Sequence, residues 1–152
     1  MSLTYRKATI NDLEAVVSLL IQDELGKDRE QLSEELDKRY IDAFHKINDD
    51  PNQYLMVVCE GEQIMGTCHL TLMPSLTFTG SMRMQIEAVR VCQDVRGRSI
   101  GQQMIEVAIN WGKTHGAKIF QLSTNKKRHD ALRFYEKLGF KATHEGMKLY
   151  LE

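Results

Sequence analysis

Hydrophobic residues recur with helical spacing in some parts of the chain and alternate with polar residues, as in strands, in others. After a short strand-like run at residues 3–9, two apolar stripes at three- and four-residue spacing predict amphipathic helices. Thr9 or Asn11 is placed to cap the first helix, whose pattern stops near Gly26, and Pro51 follows the second. The stripes consist of Leu13, Val16, Val17, Leu20 and Ile21, and of Leu32, Leu36, Tyr40, Phe44 and Ile47.

The middle of the chain has the composition of strands. Residues 54–59 (YLMVVC) and 64–73 (IMGTCHLTLM) are separated by the hairpin-sized turn EGEQ, so they should pair antiparallel. After a loop around Pro74 and Gly80, residues 82–91 (MRMQIEAVRV) predict a third long strand.

The last third predicts a helix, a strand, a second helix and a final strand pair. The strand covers residues 117–124, the second helix runs from Asp130 to Leu138 with Gly139 as its cap, and the strand pair covers residues 140–151. The order β-α-α-β-β-β-α-β-α-β(-β), without repeats or linkers, predicts a single domain over residues 1–152 of the α+β class, with a mixed sheet. The inward faces of the two helices consist of Ile100, Met104, Val107, Ala108 and Trp111, and of Ala131, Phe134, Tyr135 and Leu138.

Charge is divided unevenly along the chain, although the total is only −1. Residues 22–50 contain ten acidic and five basic side chains, whereas residues 96–148 contain eleven Lys or Arg and four Asp or Glu. The division favours a polyanionic ligand near the C-terminal half and a cationic one near the acidic helices, unless both are simply solvated helical faces.

Several classes of protein are disfavoured by composition. The three cysteines lack CxxC spacing and no histidine pair has metal-ligand spacing, so neither a disulfide framework nor a metal is expected. No apolar run is long enough to span a membrane and the N-terminus lacks a secretory apolar region, which indicates a cytoplasmic protein. A nucleic-acid binder is also disfavoured, because the basic residues are not interleaved with stacking aromatic residues.

The stretch DVRGRSIGQQM at residues 94–104 leads from a predicted strand directly into a predicted helix. Such a turn directs unpaired N–H groups and the positive end of the helix dipole at one place, and its glycines let a phosphate approach the backbone. It is neither a GxxxxGK[ST] loop nor a GxGxxG turn with an acid at the end of the next strand. The alternative is a glycine-containing loop whose arginines are only solvated.

Two longer runs carry a resemblance to a known family. IEAVRVCQDVRGRSIGQQMIEVAI and KIFQLSTNKKRHDALRFYEKLGF resemble the two central motifs of the GNAT family of N-acetyltransferases, and the order of elements resembles that family over the whole chain. The family signature Arg/Gln-x-x-Gly-x-Gly/Ala falls on residues 96–101, with Ser99 in place of the central glycine. The resemblance implies a three-layer fold, with a mostly antiparallel sheet splayed at a bulge and about four flanking helices.

The resemblance also implies acetyl-CoA as cosubstrate, lying in a V between the strand before the loop and the strand after the helix. Many family members have an asparagine three residues before the alanine of the last helix, and this chain has Arg128 at that position. Asn125 could make the asparagine's contact instead. Arg128 could bind the cofactor or the substrate, or it could belong to a solvated basic patch. The implied contacts are the backbone of Val89, Arg90 and Val91 with the pantetheine arm, and Arg96, Gly97, Arg98, Ser99, Ile100, Gly101 and Gln102 with the pyrophosphate.

Acetyl transfer to an amine requires a base, an oxyanion donor and an acid for the departing thiolate. By resemblance Glu87 is the base, directly or through water, although an exposed strand glutamate in a surface ion pair is the alternative. The backbone N–H of Val89 is placed for the oxyanion. Tyr135 is the acid by resemblance, the alternative being a core tyrosine. His69, on a central strand, is the histidine placed to face the cleft.

The acidic segment at residues 22–50 favours a polyamine-like, aminoglycoside-like or peptide amine as acceptor. The sequence therefore predicts an acetyl-CoA-dependent N-acetyltransferase acting on a primary amine through a ternary complex, as a possible homodimer without metal, membrane or nucleic acid. The competing hypothesis is a protein of the same fold that binds acyl-CoA without turnover, as a sensor or partner.

Overall fold

The structure is a computed structural model that describes residues 2–22, 35–95 and 97–151. It contains two compact units, residues 1–121 and residues 122–152. The single domain expected from the sequence stays a prediction.

The first unit is built on a five-stranded sheet with the spatial order β1-β2-β3-β4-β5. Neighbouring strands are antiparallel except β4 and β5, which are parallel and joined by a helix. This confirms the predicted mixed, mostly antiparallel sheet with flanking helices. The strands are β1 Thr4–Lys7, β2 Gln53–Glu60, β3 Gln63–Met73, β4 Met82–Val91 and β5 Ala117–Gln121.

Over its described residues, this unit has three α-helices of nine residues or more and one short helical turn. Asp12 is the N-cap residue of the first of them, so neither Thr9 nor Asn11 caps this helix as predicted. Thr9 instead caps the 3-10 turn Ile10–Asp12 that leads into the helix, and its N–H donates to Asp12 Oδ2 at 2.7 Å. The second helix begins only after Asp37, and Leu32 of its predicted stripe lies outside the described residues. The helices are α1 Leu13–Ile21, α2 Lys38–Asp49, the single turn α3 Thr77–Gly80 and α4 Ile100–Thr114.

The sheet has a hydrophobic core on each side. On one side, α1 packs over β3 and β4 and α2 over β2, and their cluster includes Val17, Phe44 and Val57 at 1%, 4% and 0% exposure. On the other side, α4 packs against β3, β4 and β5 through Met104 and Ala108, both fully buried. The two cores therefore cover both faces of the middle strands.

Gly112 lets α4 approach the sheet closely. A Cβ on Gly112 would lie 2.5 Å from Phe120 Cε1 and 2.7 Å from Met84 Sδ. We expect Gly112→Ala to lower the free energy of unfolding by about 1–2 kcal/mol, because overpacking a buried contact outweighs the gain of about 1 kcal/mol in helix propensity. Denaturant unfolding tests this, with Asn110→Ala at an exposed position of α4 as control. An unchanged or higher stability of Gly112→Ala would contradict the expected overpacking.

The second unit contains one helix, α5 His129–Lys137, close to the predicted bounds. Gly139 has φ of 100° and its N–H donates to the Glu136 carbonyl at 3.0 Å, so the predicted glycine cap is confirmed. The predicted final strand pair is wrong, because residues 140–151 form no strand. Met147, Leu149 and Leu151 do alternate, but they are 93%, 87% and 87% exposed. Alternation predicts a strand only where a neighbouring backbone completes the ladder, and none does so here.

None of the helices in residues 2–22, 35–95 and 97–151 is long and apolar enough to cross a membrane. The same residues hold no cluster of three or more His, Cys, Asp or Glu arranged around a common metal position. Cys59 and Cys68 are buried free thiols, and burial raises the pKa of Cys68 to about 12.

Candidate active site

Strand β4 has a paired half and an open half. It pairs with β3 as far as Val91, but with β5 only from Met82 to Gln85. Beyond Gln85, the described strands offer β4 no partner on the β5 side. A strand edge with unsatisfied N–H and C=O groups can pair with an extended ligand. The open half of β4 therefore has the geometry expected for the pantetheine arm.

A bulge at Ala88 divides the two halves of β4. Glu87 pairs with His69 and Arg90 pairs with Thr67, so two residues of β4 oppose one residue of β3. Ala88 takes a left-handed conformation with φ of 53°. Such a bulge increases local twist and redirects the residues that follow it. The ladder between β4 and β5, which the resemblance opens into a V, has a register shift of its own between Met82 and Arg83, whereas the bulge at Ala88 lies in the ladder between β3 and β4.

The backbone after the bulge alternates in direction. Cys92 N–H donates to the Met65 carbonyl at 2.7 Å, so the N–H and C=O of the preceding residue, Val91, point away from β3 and toward the open edge. The Arg90 backbone by the same alternation faces β3. Val89 contributes a carbonyl that accepts from Arg90 Nη1 at 2.9 Å. Of the three residues predicted to pair with pantetheine, Val91 thus presents its backbone most directly.

The predicted phosphate loop leads from β4 into α4 through residues 93–99. Gly97 has φ of 91°, and Gln103 N–H donates to the Ser99 carbonyl at 3.1 Å. The backbone N–H groups in the first turn of a helix have no carbonyl within the helix to bond to. The N–H groups of residues 100–102 therefore point out of this end of α4. Arg96, which the signature places in the loop, lies outside the described residues.

Ser99 occupies the one loop position where the sequence departs from the family signature. Its φ of 60° and ψ of 21° are left-handed, and its side chain makes no capping hydrogen bond. A left-handed conformation costs a non-glycine residue about 1–2 kcal/mol. The position therefore does require the conformation that the signature glycine would supply, and the protein accepts strain at this loop.

Arg98 makes an ion pair with Glu60. Its Nη2 lies 2.6 Å from Glu60 Oε2, and the guanidinium holds the pKa of Glu60 below its ordinary value. The Arg98 side chain is 45% exposed, whereas that of Glu60 is only 12% exposed, so the pair lies at the edge of the protein surface. The exposed guanidinium of Arg98 is the part of this pair that an anion from solvent can reach.

His69 and Glu87 are cross-strand neighbours on one face of the sheet. His69 is half-buried and its Nε2 lies 2.5 Å from Gln53 Oε1, whereas Glu87 is exposed. Burial lowers the pKa of the His69 imidazole, and the Glu87 carboxylate opposes that shift in part. The face of the sheet beside the bulge thus holds an imidazole of lowered pKa next to the Glu87 side chain, which is an arrangement suited to proton transfer.

A second polar cluster surrounds Arg83 at the start of β4. Arg83 donates to Thr77 Oγ1 at 2.7 Å and to Gln121 Oε1 at 3.3 Å, and its guanidinium lies 5.4 Å from the centre of the Phe78 ring. Gln121 also donates to Gln85 Oε1 at 2.9 Å. Among the described residues, no carboxylate lies in ion-pair contact with Arg83. These contacts orient the positive charge of Arg83 on this face of the sheet.

Sequence reasoning missed this second cluster. Its signal was the alternation of Arg83, Gln85 and Glu87 along β4, which places three polar side chains on one face of a central strand. The hydrogen bonds of Gln121 to both Arg83 and Gln85 show that these side chains do share a face.

The remaining predicted site residues belong to the second unit. Tyr135 is half-buried and packs edge-on against Phe134 and Phe140 at centroid distances of 5.0 and 5.8 Å. Asn125 accepts from the Lys127 N–H at 2.9 Å, which forms a turn before α5, and Arg128 is the N-cap residue of that helix. Asn125 therefore has a local structural role, and its amide N–H₂ group is the part left for a ligand.

Comparison with known proteins gives three informative relatives. An aminoalkylphosphonate N-acetyltransferase from Salmonella typhimurium is 31% identical over 140 residues, which cover 91% of this chain and 85% of that protein. A transcriptional regulator from Bacillus halodurans C-125 is 46% identical, with a TM-score of 0.97 and coverage of 99% and 100%. A predicted acetyltransferase from Clostridium acetobutylicum, solved with acetyl-CoA, shares the fold at 22% identity, a TM-score of 0.75 and coverage of 98% and 96%.

The family assignment follows from the extent of the match. Residues 15–140 match the acetyltransferase (GNAT) family, and this range contains both of the motifs quoted from the sequence. The matched range also includes the bulged strand, the loop and α4. The chain therefore belongs to the GNAT family of acetyltransferases.

Proposed function

We propose that this protein is an N-acetyltransferase that moves an acetyl group from acetyl-CoA to a primary amine by direct attack in a ternary complex. The observation that carries the proposal is the open half of β4, which leads within one loop into the N-terminal end of α4. An extended chain lying along the strand edge would bring an attached pyrophosphate to that helix end. Acetyl-CoA has this combination of parts.

The cofactor contacts follow from the same geometry. The backbone of residues 89–91 would hold the pantetheine arm, with Val91 as the best-oriented member. Residues 96–102 would hold the pyrophosphate, with Arg98 leaving Glu60 to bind it. In the second unit, Asn125 and Arg128 are the candidates for further contacts.

Three groups are proposed for the chemistry. The carboxylate of Glu87 would assist removal of the proton from the attacking amine, and the Val89 N–H would donate to the oxyanion. The hydroxyl of Tyr135 would protonate the thiolate of coenzyme A as it departs.

The acceptor is proposed to carry an anionic group as well as an amine. The relative from Salmonella acts by name on aminoalkylphosphonates, and Arg83 provides an oriented cation on the face of β4 that also bears Glu87. Four residues of strand separate the two Cα atoms, which is about 13 Å and within reach of their side chains and a small substrate. An aminoalkylphosphonate would place its phosphonate at Arg83 and its amine at Glu87, whereas the polyamine expected from charge alone would gain nothing from Arg83.

A non-catalytic role as an acyl-CoA sensor is the second candidate, since the relative from Bacillus halodurans is a transcriptional regulator. Retained binding of acetyl-CoA without turnover of any amine would favour it. Loss of acetyl transfer in Glu87→Gln and Tyr135→Phe, with cofactor binding intact, would count against it.

The test is acetyl transfer to a matched set of amines. Purified protein and acetyl-CoA are incubated with 2-aminoethylphosphonate, β-alanine, ethanolamine, spermidine or a short peptide, and both thiol release and the mass of the acetylated product are measured. We expect 2-aminoethylphosphonate to have the highest kcat/KM, and Arg83→Gln to lower it about 10- to 100-fold with little effect on ethanolamine, as for loss of a hydrogen bond to a charged group. Equal rates for phosphonate and ethanolamine would contradict the proposed acceptor, and no product with any amine would contradict the proposed reaction.

A further inference from the structure

We propose that His69 and Glu87 form a proton relay, in which His69 accepts the proton of the acceptor amine and Glu87 passes it to solvent. The proposal rests on the acetyl transfer proposed above and assigns the step of proton removal to a different first acceptor. It is drawn from three observations on this chain: the pairing of the two residues, the hydrogen bond of His69 to Gln53, and the difference in exposure between His69 and Glu87.

The pairing brings the two side chains together. His69 on β3 and Glu87 on β4 are directly opposite in the antiparallel register, just before the bulge. Directly opposite residues have Cβ atoms about 4.5–5.5 Å apart and project from the same face of the sheet. The electrostatic effect of Glu87 on the imidazole is consistent with this proximity. An imidazolium formed at His69 would therefore have a carboxylate beside it.

Gln53 determines which nitrogen of His69 is available. Its Oε1 lies 2.5 Å from His69 Nε2, and a carbonyl oxygen can only accept a hydrogen bond. The imidazole nitrogen at this contact must then carry the proton, so that Nδ1 keeps its lone pair. Gln53 thus fixes the tautomer that has a base at Nδ1.

The surroundings of His69 favour its neutral form. Burial lowers the pKa of the imidazole, and Glu87 is the charged group that acts on it among the described residues. On the same face, the cross-strand neighbour of His69 on β2 is Leu55, which does not ionise. Helix α1, which packs on this part of the sheet, has Glu14 as its ionisable residue, and Glu14 is exposed. A neutral base near physiological pH is what amine deprotonation requires.

The reaction balances with these groups. The amine nitrogen forms a bond to the acetyl carbonyl carbon and gives one proton to Nδ1 of His69. The bond from that carbon to sulfur breaks, the electron pair stays on sulfur, and the thiolate takes a proton from Tyr135. The proton on His69 then leaves to water by way of the exposed Glu87 carboxylate, and Tyr135 regains a proton from water.

Two variants separate this relay from direct catalysis by Glu87. His69→Gln keeps an amide N–H₂ group for Gln53 but has no base, and His45→Gln on the exposed face of α2 is the matched control. The readout is the pH dependence of kcat at saturating amine, which reports ionisations in the complex. We expect His69→Gln to lower kcat by about 10²- to 10⁴-fold, with the Kd for acetyl-CoA unchanged. The variant should also lose the acidic limb of the pH profile, which is the fall of kcat as the pH decreases. Glu87→Gln should keep the limb, moved to lower pH because the carboxylate no longer raises the pKa of His69.

The opposite pattern would overturn the relay. If His69→Gln keeps the wild-type kcat and its acidic limb while Glu87→Gln loses that limb, Glu87 alone is the base and the proposed function still stands. If the wild type acetylates no amine, the proposed function fails and the relay fails with it.

Should His69→Gln not fold, NMR of the wild type with ¹⁵N-labelled histidine gives the same decision. A neutral Nε2–H tautomer of His69 at pH 7 supports the relay, whereas an Nδ1–H tautomer or an imidazolium overturns it.

Discussion

Replacing Gly101 by aspartate is expected to raise the Kd for acetyl-CoA at least about 100-fold, without destabilising the unliganded protein. Gly101 lies in the first turn of α4, where residues 100–102 direct their N–H groups toward the proposed pyrophosphate. A carboxylate there would repel the pyrophosphate, and like charges brought together at a binding site cost several kcal/mol. The same carboxylate would interact favourably with the helix dipole in the free protein, by about 0.3–1 kcal/mol.

Opposite effects on binding and stability make this variant informative. Isothermal titration calorimetry gives the Kd, and thermal unfolding of the unliganded protein gives the stability. Gly101→Asn is the matched control, since it has the same size without the charge and should bind acetyl-CoA more tightly than Gly101→Asp. If both variants bind like the wild type, the pyrophosphate does not lie at this helix end.

Replacing Tyr135 by phenylalanine is expected to lower kcat by about 10²- to 10³-fold while leaving the Kd for acetyl-CoA within a factor of about three. The ring and its edge-on packing against Phe134 and Phe140 are retained, and only the proposed proton donor is removed. Tyr150→Phe, at an 81% exposed position of the same unit, is the control and should be silent. Steady-state kinetics with 2-aminoethylphosphonate provide the measurement.

A core role for Tyr135 gives a different result. If its hydroxyl served only packing, Tyr135→Phe would lower the melting temperature and leave kcat unchanged. If neither quantity changed, another group must protonate the thiolate.

The elements defined by local pattern were predicted well from the sequence. The hairpin of β2 and β3, the bounds of β4 and the glycine cap of α5 all follow from alternation or turn chemistry within a few residues. The loop before α4 was also recognised, because glycines and arginines between a strand and a helix indicate an anion site. In these cases the residues that determine the conformation lie within the element itself, so no distant partner needs to be known.

Features that depend on pairing between distant residues were not accessible. The neighbourhood of His69 and Glu87 requires the register of two long strands, and the hydrogen bond to Gln53 requires that of a third. The Arg83 cluster depends on Gln121, which is 38 residues away in the chain. The predicted strand pair at residues 140–151 failed for the same reason, since its pattern is local but a ladder needs a partner.

The left-handed conformation of Ser99 falls between these two cases. The family signature has glycine at this position, and the backbone there does have positive φ. A serine in the sequence does not by itself predict positive φ. The strain becomes visible only when the residue type is compared with the backbone angles in the structure.

The proposed function depends most directly on acetyl-CoA binding by the unmodified protein. The decisive measurement is thermal unfolding with a large excess of acetyl-CoA, coenzyme A, ATP or NAD, compared with no ligand. A ligand at about 100 times its Kd adds roughly 2.7 kcal/mol of stability, and we expect such a rise with acetyl-CoA and coenzyme A but not with ATP or NAD. No rise with either form of coenzyme A would contradict the assignment of the open half of β4 and the loop before α4 to this cosubstrate.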